Sequence, residues 1–128
     1  MSDRIISLSG VLVWTAENRF KAMRDFYVKV LGLIPRSDRD RFVNFEWGCQ
    51  RLTISVHEGV SYSNQDPLRL MINLEVTDIY ATSERLRDNG VVFLRMPEQE
   101  PWGGWISTFH DPDGNTLQLL QVPRKSLS

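Results

Sequence analysis

Residues 109–119 (FHDPDGNTLQL) constrain the fold of this chain most, because they join a tight turn to an extended segment. Pro112 fixes its own φ angle, the flanking aspartates can hydrogen-bond the nearby backbone, and Gly114 tolerates a positive φ. Two strands are therefore expected to meet here as a hairpin. After the turn, alternation places Leu117 and Leu119 on one face and an uncharged amide, Gln118, on the other.

Size and composition indicate one compact domain. The chain has 128 residues, of which 41% are hydrophobic and 24% charged, and this range is typical of a globular protein with a real core. A formal net charge of -1 gives no reason to expect nucleic-acid binding. The N-terminal residues lack a continuous apolar segment, which predicts neither a signal peptide nor a membrane span and favours a cytoplasmic location.

The order of predicted elements is the same in both halves of the chain. The first half gives a strand at 5–14, a helix at 17–31 with apolar residues every three or four positions, and strands at 33–36, 41–47 and 51–57. The second half gives a strand at 69–76, a helix capped by Asp78 and ending at Gly90, and strands at 91–95, 104–110 and 115–122. Each half is thus a βαβββ module.

A polar segment separates the two halves. Residues 58–67 are rich in Gly, Ser, Asn and Asp and contain no apolar run, and short matches such as 52–54 (LTI) with 117–119 (LQL) support a repeat of about sixty residues. We predict a single domain over 1–128, with a first module at about 5–57, a linker at 58–68, a second module at about 69–122 and a C-terminal tail at 123–128.

Three motifs resemble those of the vicinal oxygen chelate superfamily, which includes glyoxalase I, bleomycin resistance proteins and extradiol dioxygenases. They are 26–33 (FYVKVLGL) in the first helix, 75–79 (EVTDI) at the opening of the second module, and 111–115 (DPDGN) in the last hairpin. The resemblance implies an α+β fold of two βαβββ modules, whose curled mixed sheets surround a shared cleft. It also implies a homodimer, because dimerisation usually completes or covers that cleft.

Strand alternation predicts the side chains that line the cleft. If the apolar residues of each strand face the helix, their neighbours face the cleft. Ser7, Ser9, Val11 and Val13 share one face of the first strand, from which we expect Ser9 to line the cleft. The predicted cleft residues are Ser9, Thr53, Ser55, His57, Met71, Asn73, Glu75, Trp102, Trp105 and Gln118.

The family's metal ligands have no clear counterparts here. Metal-dependent members place His, Glu or Gln on the first, fourth, fifth and eighth strands, and the matching positions are Ser9 or Gly10, His57 or a neighbour, Met71, and Gln118. A thioether, a neutral amide and a hydroxyl form a poor ligand set for a divalent first-row metal. We expect no metal or other cofactor; if a metal binds, His57, Glu75 and Gln118 are its predicted ligands.

Glu75 is the candidate catalytic residue. A carboxylate inside a partly desolvated cleft suits proton transfer, and the structural alternative is an ion pair with Arg51 or Arg69, or a place at the wet rim of the cleft. His57 is either a ligand or base, or an ordinary hydrogen-bonded histidine at a strand end. Trp102 and Trp105 flank two glycines and either close over a ligand or pack on the sheet edge or a dimer partner.

Two functions follow from these residues. The first is a metal-independent protein of the bleomycin-resistance type that binds a small organic ligand. The second is a metal-dependent lyase, isomerase or dioxygenase with a rearranged site. A partner protein with a vestigial cleft is a third interpretation. The sequence favours the binder and leaves open whether the protein is an enzyme.

Overall fold

A computed structural model describes residues 3–123 and contains two compact units that meet in the chain at Tyr62 and Ser63. Both units have the predicted βαβββ order, and the α+β fold of two similar modules is confirmed. The enclosure of a common cleft by the two sheets stays a prediction. No helix among these residues is long and apolar enough to cross a membrane.

The first module contains a four-stranded sheet in the order β1-β4-β3-β2. Its strands are β1 (Gly10–Thr15), β2 (Ser37–Asp38), β3 (Phe42–Trp47) and β4 (Gln50–Val56). β1 pairs with β4 in parallel, and the remaining neighbours are antiparallel. The third predicted element lies slightly later than expected, at β2, since Pro35 has no N–H to donate to a ladder.

The helix of the first module is less regular than its sequence pattern predicts. A 3₁₀ turn (Glu17–Arg19) leads into α1 (Phe20–Asp25), which continues as a π-helical turn (Phe26–Val30). In that turn the N–H of Leu31 donates to the carbonyl of Phe26, five residues earlier, at 2.9 Å. The apolar side of the helix nevertheless faces the sheet, with Met23 and Tyr27 fully buried.

The second module has a sheet in the order β5-β8-β7-β6. Its elements are β5 (Met71–Glu75), α2 (Ile79–Asp88), β6 (Phe93–Gln99), β7 (Trp105–His110) and β8 (Thr116–Gln121). Asp78 caps α2 as predicted, accepting from the N–H of Ala81 at 3.1 Å, and the side chain of Gln121 accepts from the N–H of Ile79 at 2.7 Å. The start of α2 is thereby fixed to β8.

Gly10 determines where β1 begins. A Cβ at this position would collide with the backbone carbonyl of Arg51 on β4, so only glycine allows the two strands to approach this closely. The strand starts here and not at Ile5 as predicted, because residues 5–9 lie outside the ladder. The N–H of Arg51 still donates to the carbonyl of Ser9 at 3.0 Å.

Each sheet packs its apolar face against the helix of its own module. In the first module, Leu52 and Ile54 on β4 and Val43 and Phe45 on β3 are buried. In the second, the fully buried side chains include Ile79, Leu86, Phe109 and Leu117. Burial of such a side chain stabilises the fold by about 1.5–3 kcal/mol.

The turn at 111–115 is the predicted hairpin connection between β7 and β8. One carboxylate oxygen of Asp111 accepts from the N–H groups of Asp113 (3.0 Å) and Asn115 (2.9 Å), and the other accepts from Nδ2 of Asn115 (2.9 Å). Gly114 has a φ of 84°, as the turn requires. Asp111 is 4% exposed, so its bonds lie largely out of water.

The linker is hydrogen-bonded to this turn. The N–H of Asn64 donates to the carbonyl of Asp113 at 2.7 Å, and its side-chain Nδ2 donates to Oδ1 of Asn115 at 3.0 Å. The hydroxyl of Thr116 donates to the carbonyl of Pro67. The turn therefore organises both the hairpin and the chain that enters the second module.

We expect Asp111→Ala to lower the free energy of unfolding by about 3 kcal/mol, because it leaves buried N–H groups without an acceptor. Urea denaturation monitored by circular dichroism measures the loss. Asp40→Ala, at an exposed position between β2 and β3, is the control and should stay within about 0.5 kcal/mol of the parent. A loss below about 1 kcal/mol in Asp111→Ala would contradict this role of the turn.

Candidate functional site

The face of the second sheet that does not pack on α2 carries three of the polar side chains predicted to bind a ligand, namely Asn73, Glu75 and Gln118. Register places them in rows across neighbouring strands, since paired residues point to the same side. We call this surface the polar face; it consists of Met71, Asn73, Glu75, Arg95, Ile106, Thr108, His110, Thr116, Gln118 and Leu120.

A direct hydrogen bond joins Asn73 and Gln118 at the centre of the polar face. The two residues are paired in register on β5 and β8, and Nε2 of Gln118 donates to Oδ1 of Asn73 at 2.9 Å. Asn73 is exposed and Gln118 half-buried. Thr108 continues the row on β7. The sequence prediction that Asn73 and Gln118 share a face with Met71 and Glu75 agrees with this register.

Glu75 lies at the end of β5 with its side chain exposed. Within residues 3–123 it forms no ion pair; Arg51 contacts Glu46 and Arg69 contacts Asp66 instead. Its row neighbour on β8 is Leu120. In this unit the carboxylate is open to solvent, as the wet-rim alternative predicts, and its catalytic role stays a prediction.

Sequence reasoning missed the contributions of β6 and β7 to the polar face. Arg95 pairs in register with Thr108 and contacts Glu98 at 3.2 Å and Glu100 at 3.0 Å. The hydrogen bond that Arg95 donates to Glu98, together with the charge of Glu100, raises the pKa of Arg95, so the guanidinium stays charged and paired. Alternation along β7 from the apolar Phe109, which pairs with Leu117 on the opposite face, would have indicated Thr108.

His110 ends β7 in the row of Thr116 and Met71. Its Nε2 atom is buried and has no hydrogen-bond partner among the described residues. An unpaired buried nitrogen costs about 1–3 kcal/mol, and native structures keep few of them. This nitrogen thus leaves unused hydrogen-bonding capacity beside the central row.

The two tryptophans predicted to line the cleft have different surroundings. Trp105 pairs in register with Gln121 and stacks edge-on with Tyr80 of α2, with ring centroids 5.5 Å apart. It therefore packs on the helix side of the sheet, on the face opposite Asn73 and Gln118, and a role for Trp105 in ligand binding stays a prediction. Trp102 is 58% exposed, and its ring covers Gly104, where any side chain would collide with it.

In the first module, Thr53 and Ser55 occupy the sheet face opposite the core residues of β4, as alternation predicts. The register of β1 differs from the prediction. Val11 and Val13 pair with Leu52 and Ile54 on the helix side of the sheet. The two valines that were predicted to share a face with Ser9 therefore lie on the face opposite Thr53. Ser9 itself precedes the strand. The positions beside Thr53 and Ser55 belong to Leu12 and Trp14.

His57 follows β4 and is held by two contacts. Its Nδ1 accepts from the N–H of Gly59 at 2.9 Å, and its ring meets that of Trp14 edge-on with centroids 4.9 Å apart. Since Nδ1 is an acceptor, the neutral ring carries its proton on Nε2. The exposed ring is thus oriented by local contacts of its own module.

The residues at the family's metal positions do not fit a divalent metal. Thr53 on β4 pairs with Leu12 on β1, and Gln118 on β8 pairs with Asn73 on β5. Because the two modules repeat the same strand order, the residue of the first module that corresponds to Gln118 is Thr53 and not His57. A glycine, a threonine, a methionine and a glutamine offer neither imidazole nor carboxylate. The described residues also contain no group of three His, Cys, Asp or Glu side chains placed to hold an ion.

Comparison with known proteins supports the same fold. The sequence model of the Glyoxalase/Bleomycin resistance protein/Dioxygenase superfamily matches residues 15–119 of this chain. Uncharacterized protein YetH of Bacillus subtilis (strain 168) is 39% identical over 123 residues, covering 91% of this chain and all of that protein.

Two solved structures illustrate the likeness. A glyoxalase/bleomycin resistance protein/dioxygenase from Nocardioides superposes with a TM-score of 0.76 at 19% identity, covering 98% of this chain and 89% of that one. TnmS3, an antibiotic binding protein from Streptomyces sp. CB03234, gives 0.72 at 25% identity, covering 94% and 98%. The resemblance inferred from the three motifs is confirmed: the chain belongs to the glyoxalase/bleomycin resistance protein/dioxygenase superfamily.

Proposed function

We propose that this protein binds a small organic molecule, without a metal ion, on the polar face of its second module. The observation that carries the proposal is the hydrogen-bonded pair Asn73–Gln118, which occupies the centre of the face with neutral groups. Amides orient a ligand through hydrogen bonds, whereas a metal site needs anionic or imidazole donors. Thr53, Ser55 and His57 of the first module remain predicted contributors.

The surroundings of the pair suit an organic ligand. Met71 on one side is exposed, and Leu120 on the other is half-buried, so apolar surface flanks the amides. Binding sites for small molecules commonly combine such apolar walls with a few oriented polar groups. The similarity to TnmS3, an antibiotic binding protein, supports the same class of function for this chain.

The alternative is a metal-dependent lyase, isomerase or dioxygenase of the same superfamily. It would require His57, Glu75 and Gln118 to act as ligands. His57 directs Nδ1 to its own backbone, and the amide of Gln118 contacts Asn73. These contacts favour the binder, in which Glu75 tunes charge preference and is not a catalytic residue. We infer that the protein acts in the cytoplasm, given its single, exposed free cysteine.

A second copy of the chain is the partner we propose for the N-terminal segment. Ile5, Ile6 and Leu8 are 95%, 90% and 63% exposed, and β1 beside them is an edge strand. Consecutive apolar side chains of this size are rarely left in water. A homodimer would cover them, in agreement with the sequence expectation.

Ligand binding is tested by calorimetric titration with bleomycin, doxorubicin and related aromatic antibiotics in the presence of EDTA. We expect at least one compound to bind saturably, and Gln118→Leu to weaken it about tenfold through lost hydrogen bonds. Gln99→Leu, an exposed glutamine whose register partner is Trp105 on the opposite face, is the matched control and should bind like the parent.

Metal content decides between the two functions. The purified protein is incubated with Mn²⁺, Fe²⁺, Ni²⁺ and Zn²⁺, desalted and measured by elemental analysis. We expect no stoichiometric ion. One retained ion per chain, together with binding that EDTA abolishes, would refute the metal-independent proposal.

Light scattering coupled to size-exclusion chromatography tests the dimer. We expect the parent to elute as a dimer and the double variant Ile5→Asp, Ile6→Asp as a monomer, because charges at the contact cost desolvation energy. Ile34→Asp, at another exposed isoleucine, should leave the dimer intact. A parent protein that is monomeric at high concentration would exclude the interface.

A further inference from the structure

An open cavity lies beside β3 of the first module. Its volume is about 580 Å³, within the range of binding sites for small molecules, and its walls are formed by Ile34, Pro35, Arg36, Glu46 and Gly48. These residues belong to the segment before β2, to the end of β3 and to the turn that follows β3. The cavity therefore shares no residue with the polar face of the second module.

The walls of the cavity carry an ion pair with one excess positive charge nearby. Nε of Arg36 lies 2.6 Å from Oε2 of Glu46, and Nε of Arg51 on β4 lies 3.5 Å from the same oxygen. Glu46 has no other charged partner among residues 3–123, so two guanidinium groups share one carboxylate. A ligand in the cavity therefore meets a cation and an anion together, and the balance of charge attracts a carboxylate.

Backbone groups of Glu46 are also available to a ligand. The pairing of β2 with β3 ends at Asn44, whose carbonyl accepts from the N–H of Arg36 at 2.8 Å. Alternate residues of a strand direct their N–H and carbonyl groups to the same side, so those of Glu46 face the same edge. They form no hydrogen bond with the chain on that side among residues 3–123. Ile34 and Glu46, which would form the next pair, line the cavity instead.

Apolar surface and free space complete the cavity. Ile34 is 87% exposed and Pro35 follows it, so a ligand with an aliphatic side chain would cover surface that otherwise contacts water. Gly48 contributes no side chain, and no atom lies within 4 Å of the position that a Cβ would take there. An apolar group therefore has room beside the ion pair.

We propose that this cavity binds an apolar α-amino acid in its zwitterionic form. The carboxylate of such a ligand can accept from Arg36 and from the N–H of Glu46, and its ammonium group can donate to the carboxylate of Glu46. Because an α-amino acid carries both charged groups on one carbon atom, it matches an ion pair whose two groups are in contact. This second site, on the first module, does not depend on the function proposed for the polar face.

The experiment titrates the ¹⁵N-labelled full-length protein with L-leucine, N-acetyl-L-leucine and L-leucinamide, which share one side chain. The signals followed are the backbone N–H of Glu46 and the Nε–H of Arg36. We expect leucine to shift both signals saturably. Either modification should weaken binding about tenfold, because acetylation removes the ammonium charge and amidation removes the carboxylate.

The variant Glu46→Gln removes the partner of the ammonium group and leaves both arginines in place. We expect it to bind N-acetyl-leucine about tenfold tighter than leucine, which reverses the preference of the parent. Glu84→Gln, at an exposed position on α2, makes the same change of charge and should keep the parent's preference. A role of Glu46 limited to stabilising the first module would weaken all three probes together and would not exchange one preference for another.

Three outcomes would overturn the proposal. Equal binding of leucine and N-acetyl-leucine by the parent would mean that the cavity selects anions only, and equal binding of leucine and leucinamide would mean that it selects cations only. If none of the three probes shifts the two signals saturably, the cavity is not a site for amino acids. The titration with antibiotics tests the polar face separately, so that function stands or fails independently.

Discussion

The parallel pairing of the first strand with the last strand in each module determines which face of each sheet its helix covers. Parallel neighbours cannot be joined by a hairpin, so the intervening chain has to cross over, and in each module it does so through a helix and two further strands. α1 and α2 then cover one face of their own sheets. The opposite face receives no helix, and its side chains need not be apolar. The Asn73–Gln118 pair lies directly on one of these parallel contacts, between β5 and β8.

Hydrogen bonding, and not charge, dominates the centre of the polar face. The charged groups are at its margins, where Arg95 pairs with two carboxylates and Glu75 ends an edge strand. Asn73 and Gln118 restrain each other through their hydrogen bond, which limits the side-chain freedom of both residues.

Periodicity was sufficient to predict the order of elements, the turn at 111–115 and the faces of β4, β5 and β8. In these strands a regular alternation of apolar and polar residues has one consistent interpretation. The sheet face on which Asn73 and Gln118 lie could be predicted in the same way. Their hydrogen bond could not, because it depends on the register between two strands, and the two residues are 45 positions apart in the chain.

The errors have local causes. β1 reads as apolar throughout, so alternation alone could not establish which of its residues face α1; the close approach of Gly10 to Arg51 settles the register. Trp105 was predicted to line the cleft because it follows two flexible glycines. Its pairing with Gln121 instead places its ring against Tyr80 of α2. The π-helical turn at Phe26–Val30 keeps the apolar side of the helix in contact with the sheet, and the sequence pattern alone does not reveal it.

The hydrogen bonds of Asn64 and Pro67 make the linker part of the second module in structural terms. A fragment that begins at Arg69, at the start of the predicted strand, would lack the partners of Asp113, Asn115 and Thr116. A fragment that begins at Ser63 would retain them. Loop insertions should accordingly be tolerated at 58–62 and not at 64–67.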